Sequence, residues 1–149
     1  MLTDITNVIP WEADFRTFQF TYVGDQAEKI LGFPVEEWYT NNFWPNNIHP
    51  EDREPALEYC LLSSKTKKDY VFDYRMISKS GEIVWLHDIV NVVWDKHAPV
   101  LLRGYMVDIT NRKKAEIEIK ELNESLEKRV MERTKELEAY SYTVSHDLQ

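Results

Sequence analysis

The sequence predicts an α+β domain, one antiparallel sheet with short helices over one face, followed by a long C-terminal helix. Three observations lead there. Alternating apolar and polar runs recur at both ends of the first 110 residues, helix start and stop signals lie between them, and the composition changes sharply near Thr110. All four glycines, all six prolines, all five tryptophans and all six phenylalanines precede that point, and Asn111 to Gln149 is Glu, Lys and Arg with spaced aliphatics. Residues 1–110 carry 10 basic against 17 acidic side chains, and residues 111–149 carry 8 against 9. The first part reads as an acidic folded head and the second as a solvated helix of mixed charge.

The elements follow in order. Trp11 to Val23 alternates Phe18, Phe20 and Tyr22 with Thr17, Gln19 and Thr21, which favours one or two strands. Asp25 and Glu28 have the spacing of a capping box, and Gly32 is placed to stop that short helix. A second stub begins at Pro34 and includes Glu36, Glu37 and Trp38, and an Asn-rich loop (Asn41, Asn42, Asn46, Asn47) follows. Pro50 with Glu51 and Asp52 in the first turn starts a longer helix to about Ser64, with Leu57, Leu61 and Leu62 expected to face inward. Tyr70 to Ser78, Ile83 to Trp94 and Val100 to Ile109, joined by short turns at Lys79–Glu82 and Asp95–Pro99, predict an antiparallel meander.

Composition excludes several classes. The 149 residues are 43% hydrophobic with a net charge of −8, and 19 of them are aromatic, enough for a packed core. The acidic balance argues against nucleic acid as a partner. No run of about 18 apolar residues occurs, so the piece contains no membrane segment, and no signal peptide opens it. Cys60 is the single cysteine, which removes an internal disulfide and any multi-cysteine metal site. His87 and His97 have no partners at ligand spacing, so no metal is expected, and His49 reads as part of a helix cap. A cytoplasmic location is expected, with any membrane anchor lying elsewhere in a longer parent.

Ile48-His49-Pro50-Glu51-Asp52, Gly81-Glu82-Ile83-Val84-Trp85 and Gly104-Tyr105-Met106-Val107-Asp108-Ile109-Thr110 follow one another at separations that resemble a PAS domain with its C-terminal PAC segment. The resemblance covers Ile9 to Thr110 and implies a five-stranded antiparallel sheet with helices on one face. It gives Asp108, Ile109 and Thr110 the role of a signal junction between the last strand and the helix. By position alone, Asp108 and Thr110 can equally be a helix cap and nothing more. Haem-binding relatives place an axial histidine on the longer helix, and Glu51 to Lys65 has none. The Asn-Cys-Arg motif of cysteinyl-flavin relatives is absent too, and Cys60 reads as inert packing. An organic ligand or a non-covalent flavin stays open beside a core filled by its own side chains.

In the tail, Ala115, Ile119, Leu122 and Leu126 step by 4, 3 and 4, a heptad seam; Val130 adds another 4, the mark of a stutter, before Leu137 and Val144 restart the spacing. So polar a helix is expected to pair with a second copy as a coiled coil. Ser145-His146-Asp147-Leu148 resembles the H-box of sensor histidine kinases. The resemblance implies that His146 is the phosphoacceptor for the γ-phosphoryl group of ATP and that Asp147 orients or activates it. Gln149 departs from the arginine more usual there. No ATP-binding motif occurs in these residues, so ATP and Mg are expected to bind a kinase domain outside this piece, which is not itself catalytic. The expected function is the input module of a two-component sensor histidine kinase, a homodimer through head and coiled coil with a response regulator as partner. The alternative is a non-catalytic dimerisation or docking module with a packed core and no ligand.

Overall fold

A computed structural model describes residues 7–66 and 69–147, Asp147 in its backbone only. The chain folds as two units, Met1–Thr110 and Asn111–Gln149. The head contains β1 (Val8–Asp14), β2 (Phe20–Val23), α1 (Gln26–Leu31), α2 (Val35–Trp38), α3 (Phe43–Asn47), α4 (Pro50–Thr66), β3 (Asp69–Ile77), β4 (Ile83–Asp95) and β5 (Ala98–Asp108). One long helix, α5 (Thr110–Asp147), follows.

The five strands form one antiparallel sheet in the order β2-β1-β5-β4-β3, so β1 inserts beside β5 and the β3–β4–β5 meander fills the other half. Strand alternation places Ile9, Trp11, Ala13, Tyr70, Tyr74, Met76, Leu86, Val90, Leu102 and Met106 on the buried face. The other face leaves Val71, Ile89 and Tyr105 about half exposed. Gly104 lies where β5 is closest to β4: a Cβ there would collide with the Ile89 carbonyl oxygen. Gly81 (φ 89°) turns β3 into β4, with the Ser78 N–H on the Glu82 carbonyl and the Glu82 N–H on the Ser78 hydroxyl.

Several expectations change in detail. β1 and β2 are separated by a tight turn in which the Asp14 carboxylate accepts the Arg16 and Thr17 N–H groups. A register shift after Glu12 then puts Phe20 and Val23 inside and Tyr22 outside, so the run from Trp11 is not one alternating series. The capping box at α1 does not form: Asp25 is in the αR region and its side chain makes no cap bond. Gly32 does close α1, left-handed at φ 80°, its N–H on the Glu28 carbonyl at 2.8 Å. The Asn-rich stretch is the helical turn α3, with Pro45 in its first turn, where the missing N–H costs nothing. In α4, Leu61 and Leu62 point outward, 43% and 66% exposed, and Ala56, Cys60, Ser63 and Ser64 face the core. The serine and cysteine are tolerated inside because the Ser64 hydroxyl and the Cys60 thiol both meet the Tyr70 hydroxyl, at 2.7 and 3.1 Å.

The Ile48–Asp52 motif has a structural use. His49 caps α4, its Nδ1 accepting the Glu51 N–H at 3.1 Å. Asp52 then binds Arg75 of β3 three times: the backbone N–H at 2.9 Å, Nε at 2.8 Å and Nη2 at 2.7 Å. The forked pair ties the start of α4 to the sheet, and the Arg75 guanidinium also lies 5.4 Å over the Trp85 ring.

Candidate functional site

Three places bear on function: the core of the head, the exit from its last strand, and the end of α5.

The core is built on an aromatic wall, Trp44, Phe72 and Tyr74 from α3 and β3, the indole packing edge to face on the other two rings, with Trp11 and Phe20 beyond. Set into it from β4 is Asp88, 2% exposed. The Trp11 indole N–H donates to one carboxylate oxygen at 3.0 Å, and the Tyr74 hydroxyl donates to the other at 2.6 Å. The Trp44 indole N–H in turn donates to the Tyr74 oxygen at 3.0 Å. One carboxylate therefore links β1, β3 and β4, and α3 through Tyr74. Burial pushes the Asp88 carboxyl up to about 7, against the two hydrogen bonds and the nearby His87, which hold it down. The sequence carries a signal for it: Asp88 occupies the inward position between Leu86 and Val90, where alternation calls for an apolar side chain. His87 faces the other way and bonds to Asp73 across the β3–β4 pair.

Beside Asp88 is a cavity of about 20 Å³, lined by Trp11, Phe20, Trp44, Cys60, Phe72 and Met106 among others. That is room for about one water molecule, against roughly 300 Å³ or more for a cofactor-sized site. Cys60 is buried, and desolvation pushes its thiol up to about 11, so it is not a ready thiolate.

At the exit, the Thr110 N–H and hydroxyl both donate to Asp108 Oδ1, while the Thr110 Oγ1 accepts the Trp85 N–H at 3.0 Å. The Ile109 N–H donates to the Trp85 carbonyl at 2.9 Å, and Ile109 is buried at 6% exposure. Asp108 is thus an Asx-type brace for the first residue of α5, and Thr110 continues the β4 pairing by one side-chain bond. Ile109 and Thr110 both bond to Trp85 of β4, and Asp108 bonds to Thr110.

In α5 the residues of the seam are solvent-facing in the single chain: Ile119, Leu122, Leu126, Val130 and Leu137 are each more than half exposed. His146 lies in the last turn, and the Tyr142 ring one turn earlier is parallel to the imidazole, with centroids 6.0 Å apart. The Asp147 side chain, and Leu148 and Gln149, lie outside the described residues. Among the described residues no helix is long and apolar enough to cross a membrane, and no group of three metal-ligating side chains converges.

A single sheet in this order, with helices on one face, a braced last strand and a long exit helix, defines a PAS-like sensory head. The family profile for the PAS fold matches residues 20–106, and the chain belongs to that family. The blue-light-activated histidine kinase of Brucella anthropi is 26% identical over 115 residues, which is 77% of this chain and 23% of that protein. The chain therefore spans about a quarter of that relative's length. The crystal structure of the N-terminal domain of a diguanylate cyclase with PAS/PAC sensor from Marinobacter aquaeolei superposes with a TM-score of 0.67 at 36% identity, covering 71% of this chain and 98% of that one. A sensory box histidine kinase/response regulator from Burkholderia thailandensis gives a TM-score of 0.69 at 22% identity, covering 85% and 95%, a likeness of fold. The chain is a PAS sensor domain related to those of histidine kinases.

Proposed function

We propose that this chain is the input module of a two-component sensor histidine kinase. A signal perceived in residues 1–110 passes through Asp108, Ile109 and Thr110 into the helix of residues 111–149 and sets how His146 is presented for phosphorylation. His146 accepts the γ-phosphoryl group of ATP, Asp147 orients or activates its imidazole, and the phosphoryl group then passes to a response regulator. ATP and Mg bind a kinase domain outside these residues, and the module works as a cytoplasmic homodimer paired along the seam from Ala115 to Val144.

The observation that carries this reading is the junction: Thr110, held by Asp108, accepts the Trp85 N–H and is the first residue of the 38-residue helix α5, in whose last turn His146 lies. The kinase relatives support the output, while a similar head comes from the N-terminal domain of a diguanylate cyclase, so the assignment to phosphotransfer rests on the tail. The test is phosphotransfer in the full-length protein. Wild type should form an acid-labile phosphate that His146→Gln abolishes; a phosphate persisting in the variant removes His146 from the role.

The filled core favours a second reading, a docking module that senses no ligand. A small molecule retained stoichiometrically by the purified protein, seen by native mass spectrometry, would contradict it.

A further inference from the structure

Asp88 is the sole carboxylate in the buried core among the described residues, and both its oxygens accept hydrogen bonds from groups on other strands. The donors favour the anion, whereas burial disfavours it more strongly. The Trp11 and Trp44 indoles can only donate, and the Tyr74 hydrogen is already spent on Asp88 while its oxygen takes the Trp44 N–H. A neutral carboxyl brings a second hydrogen into a chain of donors that all point the same way. The groups facing Asp88 are Tyr74 and Tyr70 from β3, Cys60 from α4, and His87 beside it on β4, which is held by Asp73. From β1, α3 and β5 come Trp11, Trp44 and Met106, which do not ionise. No cationic side chain hydrogen-bonds the carboxylate among the described residues.

We propose that the Asp88 carboxyl is the input site of this head and that its ligand is a proton. The inference rests on reading the chain as a sensory module and supplies that module's stimulus. In the step itself, the carboxylate takes a proton from hydronium or a buffer acid; one O–H bond forms at Asp88, the donor's bond to that hydrogen breaks, and water or the buffer base keeps the electron pair. The new acid hydrogen donates to the Tyr74 oxygen, and the Tyr74 hydroxyl must turn its own hydrogen away from Asp88. The Trp11 bond survives but loses its charge assistance. The link from β3 to β4 is therefore reversed and that from β1 to β4 is weakened.

The junction is close along the same strands. Asp88 is in register with Met106, two residues before Asp108, and Leu86 is in register with Asp108 itself. Trp85, whose N–H and carbonyl receive Thr110 and Ile109, is three residues before Asp88. A carboxyl whose burial pushes it up to about 7 changes its ionised ratio about tenfold for each pH unit near neutrality.

The test uses the 149-residue chain with 13C-carboxyl-labelled aspartate, followed by NMR from about pH 5 to about pH 9. One buried carboxyl should titrate with a midpoint near 7, and the Trp11 and Trp44 indole N–H and the Trp85 and Thr110 amide signals should move with the same midpoint. Asp88→Asn should abolish that titration and hold the junction amides at their acid-form positions at every pH. An Asp88 carboxyl that stays ionised down to about pH 5 overturns the proposal, as does a titration near neutrality that leaves the Trp85 and Thr110 amides unmoved. Should Asp88→Asn fail to fold, the wild-type titration decides alone. Neither ATP nor His146 enters this measurement, so its failure leaves the phosphoacceptor reading standing, and a silent His146 leaves the titration standing.

Discussion

Two aspartates of the head have opposite environments, and their pH signatures should be opposite in sign. Asp88 is raised from its ordinary 3.8 to about 7 by desolvation, so the folded state binds a proton more tightly than the unfolded chain does. Its contribution is then full below about pH 4 and is lost as pH rises towards 7, at about 1.4 kcal/mol per pH unit at most. Asp88→Asn should flatten that decline, which urea denaturation of both proteins at about pH 5 and about pH 8, on either side of the midpoint, would read. Asp52 is held below 3.8 chiefly by its hydrogen bond to Arg75. Its contribution is present above the ordinary value and disappears as pH falls through the folded one. Asp52→Asn should cost about 1–3 kcal/mol at neutral pH, toward the lower end because the pair is part-exposed, and almost nothing in strong acid. The Asp52 motif is legible in the sequence as a helix start, but its grip on Arg75, 23 residues away, is not, since no local pattern encodes a contact across the fold.

At the scale of elements, the strands are legible because period-two alternation is a property of the pleat and needs no tertiary information. The turns at Gly32 and Gly81 are legible for a similar reason, both adopting the left-handed backbone that glycine permits. Helix faces are harder to read. Helical spacing places Leu61 and Leu62 inside, yet the short polar Ser64 and Cys60 take the inner face because Tyr70 offers them a hydroxyl. Asp88 escapes a reading of the sequence because a lone acid in an apolar series looks like noise until Trp11 and Tyr74 are seen to converge on it. Two substitutions test the β4–β5 pair and the junction. Gly104→Ala should lower stability by on the order of 3 kcal/mol, because the β5 backbone must move off Ile89, and its urea midpoint should fall accordingly. Thr110→Val removes the acceptor of the Trp85 N–H and should cost about 1–2 kcal/mol, with faster hydrogen exchange at the Trp85 amide.

For the molecule as a whole, head and helix answer to different physics. Among the described residues, the head buries its aromatics around the Asp88 carboxylate and a small cavity beside it, whereas α5 keeps an apolar seam exposed in the single chain. In the proposed pairing with a second copy, the stutter near Leu126 to Val130 is the candidate place where two packings lie close in energy. The central claim is that the brace at Asp108 couples the sheet to the helix. Its most direct test is the rate of acid-labile phosphate formation at His146 in the full-length protein, measured at two pH values on either side of neutrality in wild type and Asp108→Ala. Wild-type output should change with pH, and the variant's output should stay at one level. A pH response that survives unchanged in Asp108→Ala would contradict the coupling.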